Sequence, residues 1–86
     1  MSKFKAREPL ELVHTDLCGP MKTLSMGKAR YFMTFIDDYT RKIWVYFLKE
    51  KSEAFMKFVE FRTMEERQSG YKLRILHSDN GGVYIK

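Results

Sequence analysis

Apolar and polar residues alternate near the start of the chain, as they do in a β-strand with one buried face. Within residues 10–17, His14 and Asp16 fall on the same side, because successive side chains of a strand point to opposite faces. A Gly-Pro pair follows this run, and proline has no backbone N–H to donate to a sheet. The pattern predicts a first strand over residues 10–17 and then a loop over residues 21–28.

Two further apolar runs, residues 31–36 and 43–48, are rich in aromatic and β-branched residues. This composition favours strands, and the polar segment 38–41 between them predicts the turn of an antiparallel hairpin. The first run is nearly continuous in apolar character, as expected for a strand covered on both faces. Asp37 and Asp38 would point to opposite faces of a strand, so we interpret them as residues that enter and cap the turn.

An amphipathic helix is predicted between this hairpin and the last strand. Ser52 is a favourable N-cap residue, Glu53 suits the positive end of the helix dipole, and Gly70 marks the end of the pattern. The apolar residues of the segment recur at roughly helical spacing and are Phe55, Phe58, Val59 and Phe61. We expect these side chains to face the sheet.

Alternation returns over residues 73–79, where His77 and Asp79 share one face. Because a helix precedes this strand, the chain can return parallel to the first strand. The sequence therefore predicts an α/β fold with a mixed sheet of three antiparallel strands, one helix and a fourth strand parallel to the first. Asn80 and Gly81, which follow the fourth strand, also suit a tight hairpin turn.

Asp16 and Asp79 each close an apolar strand just before a glycine-containing turn. If their strands are parallel neighbours, both carboxylates lie at the same edge of the sheet. Magnesium takes hard oxygen ligands, so the pair indicates a divalent-metal site of the kind used in phosphate chemistry. His14 and His77 lie two residues before the aspartates, but a magnesium-type site does not favour imidazole. We interpret both histidines as locally hydrogen-bonded.

The composition is that of one small folded domain. The chain has 86 residues, of which 44% are hydrophobic and 15% aromatic, unlike the polar composition of disordered segments. Residues 1–9 read as a basic amino-terminal extension, and residues 10–86 as the domain. Neither a signal-peptide pattern nor a membrane-spanning apolar run is present, which predicts a soluble intracellular protein. Cys18, the single cysteine, fits a reducing compartment and has no adjacent base that would make it a nucleophile.

The positive charge of the chain favours an acidic partner. The formal net charge is +5 and the pI is about 9.4, values that suit nucleic acid or an anionic membrane surface. The candidates for contact with a phosphate backbone are Lys3, Lys5, Arg7, Lys22, Lys28, Arg30, Arg41, Lys42 and Lys72. A solvated surface with no such contacts is equally compatible with the sequence.

Three segments resemble the integrase catalytic core of copia-type retrotransposons, a branch of the ribonuclease-H-like polynucleotidyl transferases. Residues 9–21 are similar to the family's first-aspartate segment, residues 31–41 to its second strand and turn, and residues 78–82 to its second-aspartate segment. The resemblance runs in order over residues 9–85. It implies a partial ribonuclease-H-like fold, in which residues 10–86 are the amino-terminal portion of an integrase catalytic domain.

By this resemblance, Asp16 and Asp79 are the first two acids of an aspartate, aspartate, glutamate triad that holds two Mg²⁺ or Mn²⁺ ions. The complete family performs DNA integration in the nucleus and works as multimers. The implied partners are therefore retroelement ends, target DNA and other copies of the chain, with no small-molecule substrate and no membrane. The family's glutamate lies on a helix well beyond the second aspartate, and the sequence ends at Lys86. We expect the isolated chain to be inactive.

Two other functions stay open at this point. In a ribonuclease H, a glutamate of the helix completes the carboxylate set, and Glu53 or Glu60 would take that role. The other alternative is a non-catalytic remnant that binds nucleic acid, or another integrase-like chain, through its basic and apolar surfaces.

Overall fold

The part of the chain that the computed structural model describes comprises residues 5–22, 28–78 and 82–85, the last of these for the backbone alone. It contains five strands, one α-helix and one 3₁₀ turn. In chain order these are β1 (Leu12–Cys18), β2 (Tyr31–Asp37), β3 (Ile43–Leu48), the 3₁₀ turn (Lys51–Glu53), α1 (Ala54–Ser69), β4 (Ile75–Ser78) and β5 (Gly82–Ile85). The strands form one sheet in the order β3-β2-β1-β4-β5.

The strand directions confirm the predicted mixed sheet. β2 is antiparallel to both β1 and β3, whereas β4 is parallel to β1 and is reached through α1. A helical crossover suits this connection, because parallel strands need a long link that returns the chain to the starting edge of the sheet. β5 runs antiparallel to β4 and is a strand that the sequence pattern did not predict. Asn80 and Gly81, the predicted turn residues, lie outside the described residues.

The core lies between α1 and one face of the sheet. Val13, Phe35 and Phe61 are fully buried, and the rings of Phe35 and Phe61 stack with their centroids 4.1 Å apart. Trp44 packs edge-on against Phe61, with ring centroids 5.0 Å apart. Aromatic side chains bury about 150–250 Å² each, so this cluster anchors the helix across β1, β2 and β3. The anchored helix in turn fixes where β4 joins the sheet.

Burial alternates along β2, which corrects the prediction of a strand covered on both faces. Met33 and Phe35 are buried beneath α1, whereas Phe32 and Ile36 on the other face are half-buried. The reason is that α1, the one α-helix in the described part of the chain, covers a single face. Phe55 also differs from its prediction, since it is 74% exposed. It lies in the first turn of α1 and lines an open depression beside β1, where solvent reaches it.

Two strands begin later than predicted because, at their starts, side-chain carboxylates accept hydrogen bonds from backbone N–H groups. Leu10 has a φ of 66°, outside the extended region, and its N–H donates to the buried carboxylate of Asp37. The N–H of Leu73 donates to the Glu66 carboxylate at 2.8 Å, so β4 begins at Ile75.

The helical segment starts with a capping box instead of the predicted Ser52 cap. Glu50 is the N-cap of the 3₁₀ turn, and the Glu53 carboxylate accepts the N–H groups of Lys49 at 2.8 Å and Glu50 at 3.4 Å. These bonds hold the pKa of Glu53 below its ordinary value, and they satisfy donors that a helix start leaves free. Gly70 ends α1 as predicted, with a φ of 81° that glycine adopts without strain.

α1 has 16 residues and carries charged side chains along its length. Within the described residues, no helix is both long enough and apolar enough to cross a membrane.

Candidate metal centre

Asp16 lies two residues before the end of β1 and is half-buried. Its backbone pairs with Thr34 of β2, so the sheet fixes the direction in which the carboxylate leaves the strand. Among the described residues, no lysine, arginine or histidine forms an ion pair with Asp16. The negative charge of this carboxylate is therefore available to a cation.

Cys18 is the polar neighbour of Asp16 on the same face of β1. Its thiol donates a hydrogen bond to Oδ2 of Asp16 at 3.7 Å. Burial raises the pKa of the thiol, and the charge and hydrogen bond of Asp16 raise it further. The thiol therefore stays protonated and acts as a donor to the carboxylate, in agreement with the interpretation that Cys18 is not a nucleophile.

The register between β1 and β4 brings together the residues that precede the two predicted site aspartates. His14 pairs with His77, and Thr15 pairs with Ser78. Thr15 and Ser78 come immediately before Asp16 and Asp79 in the chain. Asp79 itself lies outside the described residues.

A cavity of about 510 Å³ lies beside Asp16, between the ends of β1 and β4 and the first turns of α1. Most of its wall is apolar, and Leu17, Met33 and Leu76 contribute to it. Thr15 also lines the cavity, and its buried hydroxyl has no hydrogen-bond partner among the described residues. Because apolar walls lower the local dielectric constant, a cation or a phosphate next to Asp16 interacts with its charge more strongly than in bulk water.

The two predicted histidines lie side by side but make different contacts. The ring centroids of His14 and His77 are 5.5 Å apart in an edge-to-face arrangement. Nε2 of His14 lies 3.2 Å from Oδ1 of Asp38, which agrees with our interpretation of a locally hydrogen-bonded histidine. The same interpretation does not hold for Nδ1 of His77, which is buried and has no partner among the described residues.

Asp37 and Asp38 organise more of the fold than the hairpin turn that they were predicted to cap. Asp37 is 1% exposed. Its carboxylate accepts hydrogen bonds from the N–H groups of Leu10 and Tyr39 and from the hydroxyl of Thr40. Asp38 accepts the N–H of Ala6 at 3.1 Å. The turn role is confirmed, but the attachment of the amino-terminal segment was missed, because no local pattern reports a contact across 27 or 32 positions of sequence.

The described part of the chain contains no group of three or more histidine, cysteine, aspartate or glutamate side chains that could hold a metal ion. Asp16 still fits the role of one ligand. It is a hard oxygen donor, it lies on a rigid strand, and no described cation neutralises it. These are the properties that a magnesium-type site needs from each carboxylate.

The basic residues predicted to follow a phosphate backbone are solvent-exposed wherever the structure describes them. These are Lys5, Arg7, Lys22, Lys28, Arg30, Arg41, Lys42 and Lys72. Lys3 lies outside the described residues. Exposure leaves these charges free to contact an acidic partner, and it is equally the ordinary state of lysine and arginine.

Comparison with known families identifies the class of protein to which this chain belongs. The sequence matches the family described as integrase core domain over residues 6–86. The chain belongs to the integrase core domain family. The match confirms the resemblance noted from the sequence, and the sheet and crossover helix of this integrase core chain are consistent with a partial ribonuclease-H-like fold.

Relatives of the chain include plant retrotransposon polyproteins. The integrase core chain is 55% identical to the retrovirus-related Pol polyprotein from transposon TNT 1-94 of Nicotiana tabacum. The alignment spans 75 residues, or 87% of the chain. The chain is 33% identical over 84 residues, or 98% of its length, to the corresponding polyprotein from transposon RE2 of Arabidopsis thaliana. The chain spans 6% of the length of each of these relatives.

Proposed function

We propose that this chain is the amino-terminal portion of a retrotransposon integrase catalytic core and that Asp16 and Asp79 are two of its metal ligands. The observation that carries the proposal is the parallel pairing of β1 with β4, in which Thr15 lies opposite Ser78. Asp16 and Asp79 are the next residues in the chain after this pair, and one further pair in the same register would bring them together at the shared carboxyl edge of two parallel strands.

The reaction of the complete family is phosphodiester transfer, in which water first trims the donor DNA end and the freed 3′-hydroxyl then attacks the target strand. When bound, two divalent ions activate the attacking oxygen, stabilise the leaving oxygen and neutralise phosphate charge. In this chain Asp16 and Asp79 would each supply a carboxylate ligand to the divalent ions. The protonated thiol of Cys18 hydrogen-bonds Asp16 at 3.7 Å and so helps to orient its carboxylate.

The contacts of α1 favour this proposal over a ribonuclease H, in which Glu53 or Glu60 would join the aspartates. The Glu53 carboxylate is engaged by two backbone N–H groups of the capping box. Glu60 lies on another side of α1, 3.9 Å from Lys57, and lines a different depression from the one beside Asp16.

DNA is the proposed partner of the chain, and a reaction on chromosomal DNA implies the nucleus as its site of action. The net charge of +5 and the exposure of the described basic residues support an acidic partner of this kind. Contacts of lysine and arginine with phosphates position a protein on DNA without reading its sequence.

The proposed metal site is testable by two-dimensional NMR of the 86-residue chain during titration with Mg²⁺ and Mn²⁺. We expect metal-dependent changes centred on residues 15–18 and 77–80, with Mn²⁺ broadening the same signals. Asp16→Asn and Asp79→Asn should each weaken binding at least about tenfold, because each replaces one of the two charged oxygen ligands by a neutral amide.

Glu60→Gln is the matched control, since it removes one negative charge from an exposed side chain elsewhere on the molecule. It should bind metal as the unmodified chain does. Equal loss of binding in Glu60→Gln and Asp16→Asn would mean that the ions interact only with the overall charge, and it would contradict the proposed site. A folded chain with no metal response would contradict it as well.

A further inference from the structure

A second feature of the molecule lies at the opposite end of β1 and β4 from Asp16. A cavity of about 560 Å³ opens between the carboxyl-terminal half of α1 and the first residues of β4. Three cationic side chains, Arg62, Lys72 and Arg74, line it, and we name it the arginine groove after them. A shallower depression next to it shares Arg62 and Lys72 and adds Arg67. The two also share Glu66, and together they are lined by four cationic and two anionic side chains, which gives them a net positive charge.

The two acidic side chains of the arginine groove are already engaged by backbone groups. Glu66 accepts the N–H of Leu73 at 2.8 Å, and Glu11 accepts the N–H of Arg7 at 2.7 Å. The remaining oxygen of Glu66 lies 3.9 Å from the ammonium group of Lys72, at the long end of the range for an ion pair. These carboxylates hold connections of the fold but keep their negative charges, so the cations that line the arginine groove outnumber its carboxylates by three to two.

The guanidinium groups of Arg62 and Arg74 have no carboxylate partner among the described residues. Arg62 is held over the ring of Phe58, with Cζ 5.6 Å from the ring centroid, and this contact restricts where its guanidinium group lies. Arg74 is exposed, and its backbone N–H is fixed to the carbonyl oxygen of Leu10. Arg62 on α1 and Arg74 just before β4 therefore present planar donor sets, with no carboxylate partner among the described residues, that match the oxygens of a phosphate.

We propose that the arginine groove binds the phosphodiester backbone of DNA as a second contact, separate from the metal centre. The inference rests on the proposed integrase function for its choice of DNA as the polyanion. Arg62 and Arg74 donate to the phosphates, and the exposed Lys72 adds a point charge at the rim. The contact positions DNA and carries no base specificity, because it engages the backbone alone.

The arginine groove lies at a distance from Asp16 that one DNA duplex can span while it also contacts the metal centre. Glu11 at the groove precedes Asp16 by five positions in the chain. At the usual rise of a strand this is about 17 Å, or about five base pairs of B-DNA. A duplex that approaches the carboxyl end of β1 is thus long enough to meet the groove at the other end of the strand.

The test is the affinity of the 86-residue chain for a fluorescein-labelled DNA duplex of two helical turns, measured by fluorescence anisotropy in EDTA. EDTA removes divalent ions, so the metal centre makes no contribution. We compare Arg62→Gln/Arg74→Gln with the control Lys49→Gln/Lys51→Gln, which removes the same charge from exposed residues between β3 and α1. The groove variant should bind about tenfold more weakly, whereas the control should change by less than about twofold.

The salt dependence gives a second readout. Between about 50 and 200 mM salt, the slope of log affinity against log salt should become shallower by about two in the groove variant, because two phosphate contacts release fewer counterions. Arg62→Lys/Arg74→Lys should recover most of this slope. Circular dichroism would show whether Arg62→Gln disturbs α1. In that case Lys72→Gln/Arg74→Gln tests the same DNA contact by changing two exposed side chains.

Three results would overturn the inference. An equal loss in the groove variant and the control would show diffuse attraction with no defined contact. Unchanged affinity in both groove variants would show that DNA binds elsewhere or not at all. Competition by poly-glutamate as effective as that by DNA would identify the groove as a site for acidic polypeptides.

The metal titration separates this inference from the metal-site proposal. Arg62→Gln/Arg74→Gln should keep the metal response of the unmodified chain, and Asp16→Asn should not weaken DNA binding in EDTA, because it removes a negative charge that repels phosphate. If the unmodified chain shows no metal response but the groove variants still bind DNA more weakly, the metal site is refuted and the arginine groove is supported. The reverse pattern would refute the groove alone.

Discussion

Asp37 and Asp38 are adjacent in the chain, but their different surroundings give them different structural roles. Asp37 is almost fully buried and holds the turn between β2 and β3 together with Leu10. Asp38 is half-buried and contacts Ala6 and His14. Neighbours in a chain point to opposite sides of a strand, so one aspartate fastens the interior and the other fastens the amino-terminal segment.

The contacts of Asp38 predict a loss of stability in acid. The hydrogen bond from the Ala6 N–H, with a smaller contribution from His14, outweighs partial burial and holds the pKa of Asp38 below its ordinary value. A carboxyl group whose folded pKa lies below its unfolded value of about 3.9 stabilises the fold above that pH. This stabilisation is lost as the pH falls from about 4 through the lowered folded pKa.

Urea unfolding of the chain between about pH 2.5 and pH 6 measures this effect. Asp38→Asn should be less stable than the unmodified chain at pH 6, and the two should converge at the acid end of the series. A constant difference at every pH would show that Asp38 contributes packing rather than charge.

At the scale of elements, α1 is held to the sheet by the stripe of its surface that carries the buried aromatic rings. Phe61 is fully buried and stacks on Phe35, whereas Phe55 on the same helix is 74% exposed. The sequence assigned both to one apolar face. The two residues point about 120° apart around the helix axis. Phe55 faces an open depression, whereas Phe61 faces β2 and β3.

This difference predicts unequal costs for the same substitution. Phe61→Ala should reduce the free energy of unfolding by about 3–5 kcal/mol, because it deletes a buried ring and leaves a cavity. Phe55→Ala should change it by no more than about 0.5 kcal/mol, as is usual for exposed side chains. Thermal or urea unfolding of both variants measures the contrast, and similar costs for the two would argue against this placement of α1.

At the scale of the whole molecule, the parallel pairing of β1 with β4 places Thr15, the residue before Asp16, opposite Ser78. The family resemblance implies three acids, of which Asp16 and Asp79 correspond to two. No group of three potential metal-binding side chains occurs in the described part of the chain. We propose that the two carboxylates of Asp16 and Asp79 alone do not support the joining of DNA ends.

A strand-transfer assay in Mg²⁺ or Mn²⁺ with labelled DNA tests this proposal. The isolated chain should give no joined product, whereas a longer chain that includes the family's third acid should give product that Asp16→Asn abolishes. Joined product from the 86-residue chain, lost on Asp16→Asn, would show that its own carboxylates are sufficient.

The order and type of β1 to β4 and α1, the hairpin of β2 and β3, and the place of Asp16 near a strand end were all predictable from the sequence. Each depends on periodicity or turn chemistry within a few residues, and such local preferences follow from the types of the neighbouring side chains. The parallel return of β4 also followed, because a helical crossover permits it.

Only the tertiary structure decided which side chains from distant segments meet. It joined Asp37 to Leu10 and Asp38 to Ala6, exposed Phe55, and gathered Arg62 and Arg74 with the neighbouring Lys72 around one groove. The sequence contains all of these residues but no periodic signal that links them. Contacts of this kind arise from the packing of whole elements against a shared core, which no local pattern of residues encodes.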